Sequence, residues 1–187
     1  MFILVGGIIL VVIVKSLQSK SGDSSSTYTS NDYQTLHRRV EHNTLAISRV
    51  KYGDPNFDAD AFTSWVKEVY LKLQVAWTEK NWNSVRALES TSLYSQHSTQ
   101  LEDHIRAKTT NVLEKVCIEN VRIKEFIENP DGNDTLVVIL SSTLRDYVID
   151  DETRRVIEGD PKKDLFTVYQ LNFIRKHGSQ TESTVQE

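Results

Sequence analysis

The polar and apolar positions divide the chain into four stretches. From Phe2 to Val14 every side chain is Ile, Leu, Val, Phe or Gly. At about 1.5 Å per residue a helix of this run spans roughly 20 Å, short of the roughly 30 Å hydrocarbon core of a bilayer. A signal peptide needs a basic n-region and a small-residue cleavage site. Here Met1 leads straight into the run, and Lys15-Ser16-Leu17-Gln18 follows it. The expectation is a transmembrane anchor over 1–17, which either thins the bilayer or lacks residues upstream. Lys15 and Lys20 flank it on the C-terminal side only, so the positive-inside rule sets the rest of the chain in the cytoplasm.

Residues 18–50 read as a polar tether, with Ser24-Ser25-Ser26-Thr27, followed by a short amphipathic helix over about 32–48. Its apolar positions are Tyr33, Leu36, Val40, Leu45 and Ile47. Lys15, Lys20, Arg38 and Arg39 form a membrane-proximal basic set, each worth about 1 kcal/mol against anionic headgroups. A solvated helix face accounts for the two arginines equally well.

A folded domain is expected over 51–177. Asp54-Pro55-Asn56-Phe57-Asp58 is helix-start chemistry, in which Asp54 or Asp58 caps the first amides. Phe62, Trp65, Val66, Val69, Leu73, Ala76 and Trp77 then recur at three and four residues, a strong amphipathic helix ending near Lys80-Asn81. A short helix with Trp82, Val85 and Leu88 inward follows. A third, from about Thr91, aligns Leu93, His97, Leu101 and Ile105. From Val112 the period changes to that of strands, with a shift in alternation near Asn120. Asn129-Pro130-Asp131-Gly132 turns the chain into a second strand, Thr135 to Ile149. A short strand at Arg154–Ile157 and a last one at Leu165–Ile174 complete the set. Helices first and strands afterwards, joined by tight turns, define an α+β domain with a mainly antiparallel sheet. The polar stretch 178–187 reads as a disordered tail.

Charge refines this outline. The net charge is −4, which argues against nucleic acid as a partner, since phosphate recognition needs a basic face. Six cations against three carboxylates between Lys15 and Lys51 concentrate positive charge beside the anchor. The single cysteine, Cys117, excludes an internal disulfide and a multi-thiolate zinc site, and within Val116-Cys117-Ile118 it reads as a buried, inert thiol.

Catalytic candidates are few. His97 and His104 stand seven residues apart, about 10 Å along a helix and too far to share a metal. His97 reads as a satisfied core histidine, and Asp146, beside Tyr147, as a sheet-surface charge. No glycine-rich phosphate loop or nucleophile elbow is present. The expectation is that the protein is not an enzyme and carries no cofactor or metal.

Several segments, taken in order, carry a resemblance: Ile47-Ser48-Arg49-Val50, Asp54-Pro55-Asn56-Phe57, Phe62, Trp65, Tyr70 to Trp77, Trp82, Val85-Arg86, Asp146 to Asp150, and Phe173-Ile174-Arg175-Lys176. Together they resemble the bacterial branch of the Tim-forty-four-like family, within the nuclear-transport-factor-two-like superfamily, over roughly 45–177. The resemblance implies a cone-shaped domain, three helices packed on a curved sheet, with an apolar pocket between them. Phe62, Trp65, Val69, Leu101, Tyr147 and Tyr169 are the expected lining. It also implies membrane-anchored scaffolding in a transport or envelope role. The expected partners are membrane lipid through the N-terminal helix and a protein or apolar ligand on the domain. The alternative is a small-molecule enzyme or sensor using the pocket. Many bacterial members end in a four-cysteine zinc ribbon, which this chain lacks, so zinc is not carried over.

Overall fold

The computed structural model describes residues 9–16 and 43–182. Helix α1 spans residues 43–53, α2 Ala59–Thr78, and α3 Thr91–Arg106, with a 3-10 helix at Trp82–Leu88 between the last two. The strands are β1 (Ile9–Ser16), β2 (Thr109–Ile127), β3 (Asn133–Asp150), β4 (Val156–Gly159) and β5 (Leu165–Lys176). They form one sheet in the order β1-β5-β3-β2, with β4 on the far end of β3 and every pairing antiparallel.

Local chemistry sets the helix ends. Asp58 caps α2, its Oδ1 accepting from the amides of Asp60 and Ala61 at 2.9 Å each. At the other end Lys80 takes a left-handed φ of 55°. Its amide donates to Trp77 O at 3.1 Å and that of Asn81 to Ala76 O at 2.9 Å. This is a Schellman closure with lysine where glycine is usual. Lys108 repeats the left-handed turn after α3, with φ 52°.

Along α2, Phe62, Val66, Val69, Tyr70, Leu73 and Ala76 are buried, the stripe that the three-and-four spacing dictates. They pack on the inward faces of β3 and β5, where Leu136, Val138 and Leu140 meet Tyr169, Leu171 and Phe173. Ala46 and Val50 of α1 join the same core. The boundary expected at 50 therefore falls inside a helix that belongs to the domain. That helix covers the last part of the expected 32–48 segment and runs on to residue 53; residues 32–42 lie outside the described residues.

Three register shifts interrupt β2, at Glu114/Cys117, Ile118/Asn120 and Ile123/Glu125. Such bulges bend a strand, which suits one of 19 residues. Lys115, with φ 52°, lies within the first shift, and the second falls where the sequence shows its change in alternation.

Two expectations need correction or restatement. Cys117 is exposed, because its neighbours Val116 and Ile118 pack against the core and turn it outward. Of the apolar run, the described residues are strand rather than helix: β1 pairs with β5 from Ile9↔Ile174 to Ser16↔Val168. A continuous apolar run suits a buried strand as well as a helix, and periodicity cannot separate the two. Residues 1–8 lie outside the described residues. Among the described residues no helix is long and apolar enough to cross a membrane.

The ordered chain continues past residue 177. His177 Nδ1 lies 2.8 Å from Asp134 Oδ1, and Thr181 donates to Asp54 through its amide at 3.1 Å and its hydroxyl at 2.8 Å. Asn56 Nδ2 donates to Thr181 O at 3.1 Å. Residues 178–182 are thus described and, through Thr181, tied to the α1–α2 loop.

Candidate functional site

The space between helices and sheet is filled by side chains. Phe62, Val69, Leu101 and Tyr169 are buried in the core, and Trp65 packs against it. Phe62 and Trp65 both contact Phe173, with ring centroids 5.4 and 5.5 Å apart. The Tyr169 and Tyr70 rings meet at a tilt, with centroids 5.4 Å apart. Tyr147 stands apart from these five, on β3 opposite Val112 and Gly159. A cavity of about 20 Å³ reaches Phe62, between Val50, Phe57 and Phe126, with Asp134 and Arg175 at its edge. It has room for a water molecule and little more.

The interior also holds a hydroxyl chain. Tyr70 Oη and Ser142 Oγ are 2.8 Å apart, and Ser142 Oγ and Thr167 Oγ1 are 3.0 Å apart. Burial pushes the Tyr70 phenol far above its ordinary pKa, and Tyr169 adds to the shift. A phenol that stays protonated serves as a hydrogen-bond link and not as a base.

His97 makes a carboxylate contact that bears on the enzyme reading. Its Nδ1 lies 2.7 Å from Glu89 Oε1, and Glu89 Oε2 accepts from Trp82 Nε1 at 3.0 Å. The Glu89 side chain is wholly buried, and Trp82 Nε1 and His97 Nδ1 are the partners that a buried carboxyl group requires. Trp77 and Trp82 meet the imidazole edge-on, with centroids 6.2 and 5.1 Å away. His104 also meets Trp77 edge-on at 6.2 Å, with its Nδ1 3.0 Å from Thr109 Oγ1. Trp77 Nε1 donates to Asn111 Oδ1 at 2.8 Å, and Asn111 Nδ2 donates to Asp146 Oδ1 at 2.7 Å. Asp146 thus accepts from a side chain that is itself fixed by the α2 tryptophan. Among the described residues no cluster of His, Cys, Asp and Glu has metal-binding geometry.

The roomier recess lies on the surface. A groove of about 320 Å³ runs between α1 and the end of β2, lined by Leu45, Ala46, Arg49, Arg122, Lys124, Glu125 and Phe126. Ala46 and Phe126, core residues at 4% and 5% exposure, form its floor. Arg49 Nη2 donates to Glu128 Oε2 at 3.1 Å and joins the helix to the β2–β3 turn. The bulge at Ile123/Glu125 inserts one extra residue, so Ile123 and Phe126 both turn inward while Lys124 and Glu125 face out. None of these lining residues is in the expected pocket set. Sequence spacing gives no sign of the groove, because it joins segments about 75 residues apart that only the fold brings together.

Of the expected basic set, Lys15 lies in β1 opposite Tyr169; Lys20, Arg38 and Arg39 are outside the described residues.

Three helices and a 3-10 turn on one antiparallel sheet, with a filled interior and an open groove, make an α+β domain of the kind the resemblance implies. The Tim44-like domain family matches residues 43–184, and the chain belongs to that family. This agrees with the bacterial branch and the nuclear-transport-factor-two-like superfamily. A search of curated proteins found no match.

Proposed function

We propose that the protein is a non-catalytic binding module held at a membrane, where its domain engages a protein or lipid partner in a transport or envelope role. The observation that carries this reading is the contrast between the packed interior and the accessible α1–β2 groove. Membership in the Tim44-like family supports the membrane association, and the run Phe2–Val14 supplies an apolar segment for it. In this reading the sheet is the curved wall of the cone fold, and the domain is cytoplasmic. Residues 9–16 have two exclusive uses, as edge strand β1 or as part of the anchor.

Alkaline carbonate extraction of membranes from cells expressing the full chain tests the anchoring. The chain is expected to stay in the pellet, and a Val5→Asp, Val11→Asp variant to move to the supernatant. A wild-type chain released by carbonate defeats the anchored reading and leaves the run as β1.

A small-molecule enzyme is the second reading, favoured by the Glu89–His97 contact. It requires a cavity beside His97, and neither recess described above includes that residue.

A further inference from the structure

We propose that the side of β5 facing away from β3, from Val168 to Ile174, is a strand-addition site for an extended apolar segment of a partner protein, with β1 as its displaceable cover. The proposal rests on the anchored reading above, in which residues 9–16 leave the sheet for the bilayer, and names the site that their departure opens.

With β1 removed, the sheet ends in β2 on one side and in β5 on the other, and these two edges are built differently. Three register shifts break β2, and Glu114, Lys115, Glu119, Arg122, Lys124 and Glu125 punctuate it. Bulges and charges are the means by which an edge is kept from recruiting another strand. β5 has neither over the stretch that β1 covers. Its ladder with β3 runs from Asn133↔Lys176 to Leu144↔Leu165 without a shift. Val168-Tyr169-Gln170-Leu171-Asn172-Phe173-Ile174 contains no charge, proline or glycine. A regular, uncharged edge about 20 Å long is a template for a further strand. β4, of four residues, is too short an edge to compete.

β1 shows the chemistry that fits. It lies antiparallel to β5 from Ile9↔Ile174 to Ser16↔Val168, and Ile9-Leu10-Val11-Val12-Ile13-Val14 is β-branched or leucine throughout. The occupant that replaces it is therefore an extended, apolar, β-branched segment, held by main-chain hydrogen bonds as in other strand additions. A second copy of this chain fits less well. In the anchored state its own residues 9–16 are also in the bilayer. Pairing β5 with β5 would also bring a whole domain to the place where α3 and the 3-10 helix approach β1. A single strand needs only the space that β1 takes, about 4.8 Å from β5.

The probe is a synthetic peptide of residues 9–16 with a fluorescent label and a polyethylene glycol tail for solubility. The full chain is reconstituted in phosphatidylcholine nanodiscs and binding is read by anisotropy, with empty discs as the control. The peptide is expected to bind the chain. An analogue N-methylated at Val12 and Ile13 keeps every side chain but lacks a donor on each edge of the strand, and is expected to bind at least about tenfold more weakly. Asn172→Lys sets a gatekeeper charge in mid-edge, opposite Val12 in the β1 register. It is expected to weaken binding about tenfold or more, with thermal melts showing that the fold persists. Affinity that ignores the methyl groups or Asn172→Lys overturns the proposal. No binding by a chain that carbonate leaves in the pellet overturns it and leaves the anchored reading standing, whereas no binding by a chain that carbonate releases defeats both. A chain that is dimeric in the discs and that the peptide makes monomeric assigns the edge to a second copy and overturns the partner proposed.

Discussion

Asp54 and Arg175, 121 positions apart in the chain, meet with 2.6 Å between Oδ2 and Nη1. The Asp54 side chain is wholly buried and that of Arg175 nearly so, at 13%. Both donors of Thr181 complete the carboxylate's shell. Burial alone raises the carboxyl pKa, but Arg175 and Thr181 outweigh it and hold Asp54 below its ordinary 3.8.

Truncating Asp54 to Ala strands a buried guanidinium, so a loss of about 3 kcal/mol is expected, the scale of breaking a buried pair. The sign of the pH dependence follows from the lowered folded pKa. The carboxylate's contribution is fully present above 3.8 and is lost as pH falls through the lower folded value. Urea denaturation of wild type and Asp54→Asn is therefore expected to give a constant gap from pH 5 to 8 that closes in more acidic solution. A gap that widens on acidification contradicts the assignment.

The left-handed lysines that end α2 and α3, Lys80 and Lys108, should respond differently to glycine. Lys108 bonds Glu152 at 2.7 Å, but both side chains are 69% exposed, and such a pair is worth little. Relief of its φ of 52° should then dominate, and Lys108→Gly is expected to stabilise by about 0.5 kcal/mol. Lys80 instead reaches Asp151 Oδ2 at 2.6 Å, and Thr110 holds the other oxygen at 2.6 Å. These contacts tie the α2 end to the β3–β4 turn and lower the Asp151 pKa. Lys80→Gly should gain nothing or lose stability. Equal responses in chemical denaturation would refute the distinction.

How much of this was legible in the sequence varies with the range of the interaction. The α2 stripe and the Asn120 shift are periodic signals, and periodicity carried them into the right elements. The helix-start segment offers Asp54 or Asp58 as the cap; Asp58 is the cap, and Asp54 serves a tertiary contact that no local pattern encodes. Cys117 was misread although its neighbours held the answer: in a strand, inward Val116 and Ile118 require an outward residue between them. Most of the expected lining lies in the packed core, since core and cavity are written in the same apolar residues. The groove escaped notice because its two walls are distant in sequence.

Glu89 offers a test of the enzyme alternative against a structural one. Its carboxylate accepts from Trp82 Nε1 and contacts His97 Nδ1, so Glu89→Ala leaves an indole N–H and an imidazole without their partner. A loss of about 2 kcal/mol or more is expected, with a shift in tryptophan emission from Trp82. Glu89→Gln retains an acceptor for the indole and should recover part of it. An unchanged unfolding midpoint for Glu89→Ala would mean that the dyad is not structural and would strengthen the catalytic reading of His97.

Cys117 gives the most direct check on the strand geometry. It sits on β2 opposite Thr143, exposed, beyond the bulge that contains Lys115. Exposure and thiolate fraction govern thiol reactivity. Native protein is therefore expected to react stoichiometrically with an aromatic disulfide reagent, at a rate within about tenfold of the urea-unfolded chain. Cys117→Ser should change stability by less than about 0.5 kcal/mol, as surface substitutions do. If β2 ran in uninterrupted alternation with Cys117 inward, the thiol would be protected and the serine would cost more than about 1 kcal/mol as a buried hydroxyl. A protected thiol with a costly serine would thus overturn the register of β2 against β3 at Cys117, and with it the bulge that contains Lys115.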